Sequence, residues 1–467
     1  MTGIVHSLLE ATPGRVARAL AEAPQGIAYV EIRADQLRAL DVAGLVGASP
    51  VPAIVTVRAE EDGGSFDGSA AEKRAILEAA LAAGAAFVDV EEGGAAAALA
   101  EGAWAPRTIL SHHGAPCDEH ALVALLERMR SSRAARLKIV PAAKRAGEIA
   151  AVRALLARPG ARGRLAAFAS GRPGAASRAL ALSWGSWGTY GSAARGRESG
   201  PGQLTTRELL EVYRAPEISE GTRRFALCGS PVLESPSPAI HAAGYRAAGL
   251  DAVYLPVETG DLADLDGLDL DGLAVTAPLK GAAARRCARL DRFSRWGAVN
   301  TVRVEESGWS GFNTDVPAAL SLLAAVMRFA SARVAIVGAG DSARSIGGAL
   351  TEEGAEVIHY ARDGARATPL SLLPGAVWDL LVQATPLGRG GERVLAPERL
   401  TGRVVLDLAY GPEETPLIRD ARARGLLAID GHTFLLEQAL VQFSLLTGVH
   451  PHRAALADAL DAVRRQA

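Results

Sequence analysis

Short apolar runs recur along the first half of the chain, separated by Ala-, Leu- and Arg-rich stretches with helical spacing. The runs are "GIVHSLL", "IAYVEIR", "AIVTVR", "FVDVE", "RTILSHH", "RLKIVP", "LAAFASG" and, less regularly, "SWGSWGTYG". Runs of this length read as strands buried on both faces, and stretches such as "SAAEKRAILEAALAAG" as the helices that cover them. Eight such units in roughly 190 residues predict α/β architecture with a closed parallel (β/α)8 barrel. The rhythm restarts near "YRAPEISEGTRRFALCGSP", where residues 216–223 read as a linker and a new strand begins at about Arg224. Further on, "ARVAIVGAGDSARSIGGAL" reads as strand, Gly-rich turn and helix, followed by strands in "AEVIHYAR", "DLLVQAT", "RVVLDLAY" and "LLAID". The pattern divides the chain into 1–215, the linker, and 224–467. The last region splits into 224–325 with 432–467, and 326–431.

Composition narrows the functional classes. A chain of 467 residues is too long for one ordinary core, which agrees with the division above. Its net charge of −2 supplies no basic surface for nucleic acid. No apolar run approaches the length of a membrane span, and "MTGIVHSLLEATPG" lacks the features of a secretory leader. The three cysteines show neither CxxC pairing nor metal-ligand spacing. The expectation is a cytoplasmic protein without a metal, acting on small molecules as a monomer or homodimer.

Chemistry in a β/α barrel collects at the C-terminal strand ends. Those ends carry Glu31, Arg33 and Asp35, then Arg58, then His112 and His113, then Lys138. Strand alternation lets only one of the adjacent histidines face inwards. A lysine in the apolar run "LKIV" is costly to bury unless it is used. Among arginines and beside a histidine, it points to imine chemistry on an anionic carbonyl compound. In order and spacing, "VEIRAD", "VTVRAEEDGG", "SHHG", "RLKI", "SRALALSWGS" and "SGPGQLT" resemble the type I 3-dehydroquinate dehydratases. The resemblance implies a Schiff base between Lys138 and the ketone of 3-dehydroquinate, with His113 as proton carrier and His112 as a structural neighbour. It implies a substrate pocket of Glu31, Arg33, Arg58, Arg178, Ser199 and Gln203. Asp62 stands where the family usually has Glu, one methylene shorter, which implies a lower rate.

The turn "VGAGDSAR" follows a strand and opens a helix, the context a dinucleotide requires. Gly338 permits the tight turn, Gly340 lets the backbone approach a pyrophosphate, and Ala343 allows close helix packing. Together with "GSPVLESPSPAIH", "GLAVTAPLKG", "GAVNTV", "GFNTD", "QATPLG", "DLAYGPEETPLI" and "GHTFLLEQALVQF", it resembles the shikimate dehydrogenases. That resemblance implies a Rossmann nucleotide-binding part and Lys280 with Asp315 as the catalytic pair. It implies Ser235, Ser237, Thr276, Asn300, Tyr410 and Gln438 around the substrate. Cofactor contacts would come from Gly338, Ala339, Gly340, Asp341, Ser342, Ala343, Arg362, Arg366, Thr385 and Gly431. Departures from the family are Glu234, Ala274, Val316 and Asp341, where His, Asn, Gly and Gly are usual.

Taken together, the two resemblances imply consecutive reactions, 3-dehydroquinate to 3-dehydroshikimate and then to shikimate. Arg362 ends the second strand of the nucleotide part, where NAD-binding folds tend to place a carboxylate. With Arg366 it favours NADP(H), although Ala361 and Asp363 replace the outer residues of the family's phosphate motif. The rival readings are a quinate dehydrogenase joined to a dehydratase, and a non-catalytic sensor built from the same domains.

Overall fold

The computed structural model describes residues 1–37, 41–363 and 367–466. Eight parallel strands form the first half: β1 (Gly3–Leu8), β2 (Tyr29–Arg33), β3 (Ala53–Thr56), β4 (Phe87–Glu91), β5 (Thr108–Pro116), β6 (Arg136–Ala142), β7 (Leu165–Ala167) and β8 (Gly188–Ser192). Their ladder runs β7-β6-β5-β4-β3-β2-β1-β8. The Trp187 N–H donates to Leu165 O at 3.1 Å and draws the two ends together, which gives the barrel expected from the alternation. Inside it, Val5, Ile54, Ile109, Val140, Phe168, Trp187 and Tyr190 belong to one buried cluster. Helix starts follow capping chemistry. Ser69 and Glu72 form a reciprocal capping box that opens the helix Ala70–Ala82.

The second half holds two six-stranded sheets. One is mixed, in the spatial order Ala252–Glu258, Arg223–Gly229, Gly272–Val275, Thr301–Glu305, Gly308–Phe312, Arg289–Leu290. The other is parallel throughout and reads Thr368–Pro369, Glu356–Ala361, Arg333–Val337, Leu380–Gln383, Val404–Asp407, Leu427–Ile429. The strand Arg333–Val337 at its centre leads into the helix Asp341–Glu352. This is a nucleotide-type α/β layer, with Val334, Ile336, Ile346, Leu380 and Val404 in its core. The C-terminal helices Gly431–Thr447 and Arg453–Gln466 return to the helix Ser237–Ala247, where Ile240, Leu435, Ala439, Leu456 and Leu460 pack together.

Contacts divide the chain into two compact units. The first comprises 1–222 and also takes in 231–233 and 255–269; the second comprises the rest. The stretch expected as a linker is partly built in: Ala215–Glu217 forms a 3-10 turn, and Ala215 and Ile218 are buried. Residues 255–269 join the first unit through side chains the linker reading did not consider. Glu258 accepts from Arg172 at 3.1 and 3.0 Å, and Asp264 from Arg145 at 2.9 Å. Among the described residues no helix is long and apolar enough to cross a membrane, and no group of three or more His, Cys, Asp or Glu could hold a metal ion.

Candidate active sites

Alternation along β5 sends Ser111 and His113 inwards and His112 outwards, where His112 lies 3.3 Å from Glu92. Lys138 is the register partner of Ser111 on β6 and is buried. A pocket of about 270 Å³ is lined by the barrel residues expected to carry the chemistry and the substrate, without Asp35 and His112. Glu31, Arg33, Arg58, His113, Lys138, Arg178, Ser199 and Gln203 line it, and so does Asp62.

The surroundings of Lys138 differ from the expectation in one respect. Its nearest charged groups are carboxylates: Asp89 Oδ2 lies 2.5 Å and Glu31 Oε1 4.0 Å from Nζ. The Tyr190 ring covers it, centroid 4.5 Å away. Glu31 is itself held by the Ser7 hydroxyl and by Thr56 Oγ1 at 2.8 Å. Arg58 bridges Asp89 and Glu91 at 3.0 Å each, and Lys73 reaches Glu91 at 2.6 Å. Positive and negative groups therefore alternate from Lys73 through Glu91, Arg58 and Asp89 to Lys138. Burial alone would raise Asp89, but the Lys138 ammonium and the Arg58 guanidinium outweigh it and hold the carboxyl well below its usual range.

His113 gives up its proton at a lower pH than a surface histidine. Burial first, then Arg58 and Lys138, lower its pKa well below the ordinary value, so the ring is neutral and able to accept a proton. Arg178 is fully enclosed, and burial lowers it to about 10. Its Nε finds no hydrogen-bond partner, and its guanidinium carbon stands 4.7 Å from the Phe168 centroid. A buried cation that lines a pocket suits an anionic ligand. Gln203 Oε1 accepts from the Ser199 N–H at 2.6 Å and its hydroxyl at 3.0 Å, while Arg33 is clamped on Asp35 by two 2.8 Å bonds. Sequence reasoning missed Asp89, Glu91 and Lys73. The signal was present in "FVDVE", where two carboxylates recur at strand period.

In the second half, Lys280 opens a short helix, Lys280–Arg286, and Asp315 opens another, Asp315–Ala324. Lys280 Nζ donates to Asp315 Oδ2 at 2.6 Å. Asn300, expected at the substrate, instead spends its amide on the pair: Nδ2 donates to Asp315 Oδ1 at 2.7 Å, and Oδ1 accepts from Thr314 N at 2.9 Å. Gln438 donates to Thr314 Oγ1 at 3.0 Å. Burial would raise Asp315, and Lys280, Ser342 and Asn300 together hold it below its usual value. Ser235 donates to Ser237 Oγ at 3.1 Å. Tyr410 is raised by burial, with Ser235 among its hydrogen-bond partners. Thr276 follows the strand Gly272–Val275 in the turn that leads to Lys280; Ala274, on that strand, is buried. Val316 fills a fully buried position.

A separate cleft of about 580 Å³ is lined by Gly338, Ala339, Gly340, Arg362, Asp363 and Thr385, among others. Gly338 has φ +128°, and a Cβ there would stand 3.1 Å from Ala384 O. A Cβ on Gly340 would meet nothing within 4 Å, so a bulky group can approach its backbone. Asp341 pairs with Arg344 at 2.5 Å. Four expected cofactor contacts, Asp341 among them, lie apart from the cleft lining. Ala343 is buried in the sheet–helix core, Ser342 turns towards Lys280, and Gly431 is pressed against the Ala409 backbone. Arg366 lies outside the described residues.

Two family models match the chain. Residues 4–220 match the type I 3-dehydroquinase family, and residues 227–302 match the shikimate dehydrogenase substrate binding domain. A bifunctional 3-dehydroquinate dehydratase/shikimate dehydrogenase of Arabidopsis thaliana, a chloroplastic protein, is 27% identical across 91% of this chain and 78% of its own length. A shikimate dehydrogenase (NADP(+)) of Anaeromyxobacter dehalogenans is 36% identical over 52% of this chain and 98% of its own. The crystal structure of shikimate 5-dehydrogenase from Thermus thermophilus with NADP(H) and shikimate covers 52% of this chain and 100% of its own, at 32% identity and TM-score 0.47. The chain belongs to the type I 3-dehydroquinase family through its first half and to the shikimate dehydrogenase family through its second.

Proposed function

We propose that the barrel dehydrates 3-dehydroquinate through Lys138 and that the second half reduces the resulting 3-dehydroshikimate to shikimate with NADPH. The observation that carries the reading is a pair of lysines. Each is held by one carboxylate at 2.5 to 2.6 Å, Lys138 by Asp89 and Lys280 by Asp315.

In the barrel, the Lys138 nitrogen condenses with the C3 carbonyl; two of the ammonium's three protons leave with the carbonyl oxygen as water and the third stays, which leaves a protonated imine. That cation withdraws electrons from C2, and the neutral His113 ring removes the C2 proton. The enamine then expels the C1 hydroxyl, which leaves as water with the proton His113 carries. Water hydrolyses the imine and frees the lysine, so the balance is the loss of one water. Arg178 supplies the cation for the substrate carboxylate. Ser199 and Gln203 face its hydroxyls, and Glu31, Arg33 and Arg58 complete the pocket.

In the second half, Gly338, Ala339, Gly340 and Thr385 would cradle the dinucleotide, and Arg362 would face a 2′-phosphate. When bound, NADPH supplies hydride to the ketone carbon. Lys280 stabilises the oxygen that gains charge and gives it a proton, while Asp315 orients the ammonium. Ser235, Ser237, Thr276, Tyr410 and Gln438 bind the carboxylate and ring hydroxyls. The sensor reading is not favoured, since both lysines retain their carboxylate partners, and the quinate reading is not favoured because the similar proteins are named as shikimate dehydrogenases.

Purified protein given 3-dehydroquinate and NADPH should accumulate shikimate, with NADPH oxidised in equal amount. NADPH oxidation with quinate as product, or no turnover at either step, would overturn the reading.

A further inference from the structure

Ser342 sits in the first turn of the helix that the nucleotide loop opens, yet its side chain is not part of the nucleotide cleft. Its hydroxyl lies 2.9 Å from Lys280 Nζ and 2.9 Å from Asp315 Oδ2, while those two atoms are 2.6 Å apart. The three groups close a triangle. A serine hydroxyl accepts and donates at once, so it can take a hydrogen from the ammonium and give its own to the carboxylate. Asp315 Oδ1 is occupied separately by Asn300.

An ammonium on a four-carbon stem carries three N–H bonds and rotates readily when only one partner holds it. Asp315 alone fixes one N–H. With Ser342 as second acceptor the rotation is fixed, and the third N–H has a defined direction. We propose that Ser342 is a positioning residue for the reduction, aiming that third N–H at the ketone oxygen and tying its aim to the nucleotide loop. This rests on the reading of Lys280 and Asp315 as the catalytic pair. The loop and the pair belong to different parts of the fold: the nucleotide layer supplies Ser342, whereas Lys280 follows the strand Gly272–Val275 of the mixed sheet. A hydroxyl between them makes proton delivery depend on a properly seated loop.

The test uses the full-length protein with saturating NADPH. Ser342→Ala should lower kcat for reduction of 3-dehydroshikimate about tenfold, the scale of one hydrogen bond to a charged group. KM for both substrates should stay within about twofold, and NADPH binding measured by fluorescence should be unchanged. Ser342→Thr, which keeps the hydroxyl, should restore most of kcat. In a Lys280→Ala background, itself strongly impaired, Ser342→Ala should cost nothing further, because the residue acts through the lysine. An unchanged kcat, a loss confined to KM for NADPH, or the same tenfold loss without Lys280 would overturn the proposal. Should Lys280→Ala alone reduce 3-dehydroshikimate at the normal rate, the catalytic pair itself is misassigned, a separate failure.

Discussion

Lys138 and Asp89 stand on strands separated by a third, β6 and β4 with β5 between them, yet Nζ and Oδ2 are 2.5 Å apart in the barrel interior. Both side chains are buried, so the pair lacks the solvent screening that makes surface ion pairs weak. Asp89 also receives Arg58. Asp89→Asn keeps the shape and removes the charge, leaving two cations without their shared partner. The barrel should lose about 3 kcal/mol of stability, the usual scale for breaking a buried pair. Denaturant unfolding followed by a probe in the barrel measures this, and an unchanged midpoint would show that the carboxylate is dispensable.

Covalent catalysis is tested at Lys138 itself. Borohydride added with 3-dehydroquinate should trap an adduct on this residue and abolish dehydration while reduction of added 3-dehydroshikimate continues. Lys138→Ala should reproduce the loss without an adduct. Peptide mapping that finds the label on another lysine would sink the assignment.

Buried histidines set the response to acid. Burial lowers His6 to about 4 and His241 to about 3, and His113 is also held well below its ordinary value. In the unfolded chain each would titrate near about 6.5. Below that pH the unfolded state binds more protons than the folded one, so stability rises with pH through this window and falls on acidification. Between pH 7 and 5, His6 and His241 should each cost about 2 kcal/mol. The neutral His113 ring should keep dehydration active below pH 6.5, with the acid limb of kcat/KM displaced downwards. Equal unfolding free energies at pH 5 and 7 would contradict this.

Cofactor choice turns on Arg362, which lines the nucleotide cleft beside Asp363. Arg362→Ala should raise KM for NADPH about tenfold or more, as expected for loss of charge-assisted bonds to a phosphate, and leave NADH use nearly unchanged. If the unaltered protein uses both cofactors equally well, Asp363 has neutralised the arginine.

The strands of both halves were legible because parallel strands buried on two faces appear as unbroken apolar runs. The same burial explains what was not legible. In "FVDVE" two carboxylates recur at strand period, but alternation alone does not say whether that face turns to the barrel interior or to solvent, and Asp89 and Glu91 passed as part of a strand. Lys73 looked like an ordinary charged position in an Ala-rich helix until the fold carried it to Glu91. His113 was readable through alternation, which allowed one of two histidines inside. Ser342 and Gly431 were expected at the nucleotide from their motifs, and neither lines the cleft; motif spacing alone does not say where each successive side chain points.

Arg178 carries a consequence for the kinetics of the whole chain. Its guanidinium has an unsatisfied donor, and the carboxylate it would grip is untouched by the loss of water. Substrate and product therefore offer it the same charge, and the grip strengthens binding of both without lowering the barrier between them. A barrel working alone should then be slowed by its own product as 3-dehydroshikimate builds up. Here the second half removes that product as it is released, so the supply of NADPH sets how far the first reaction is relieved from inhibition.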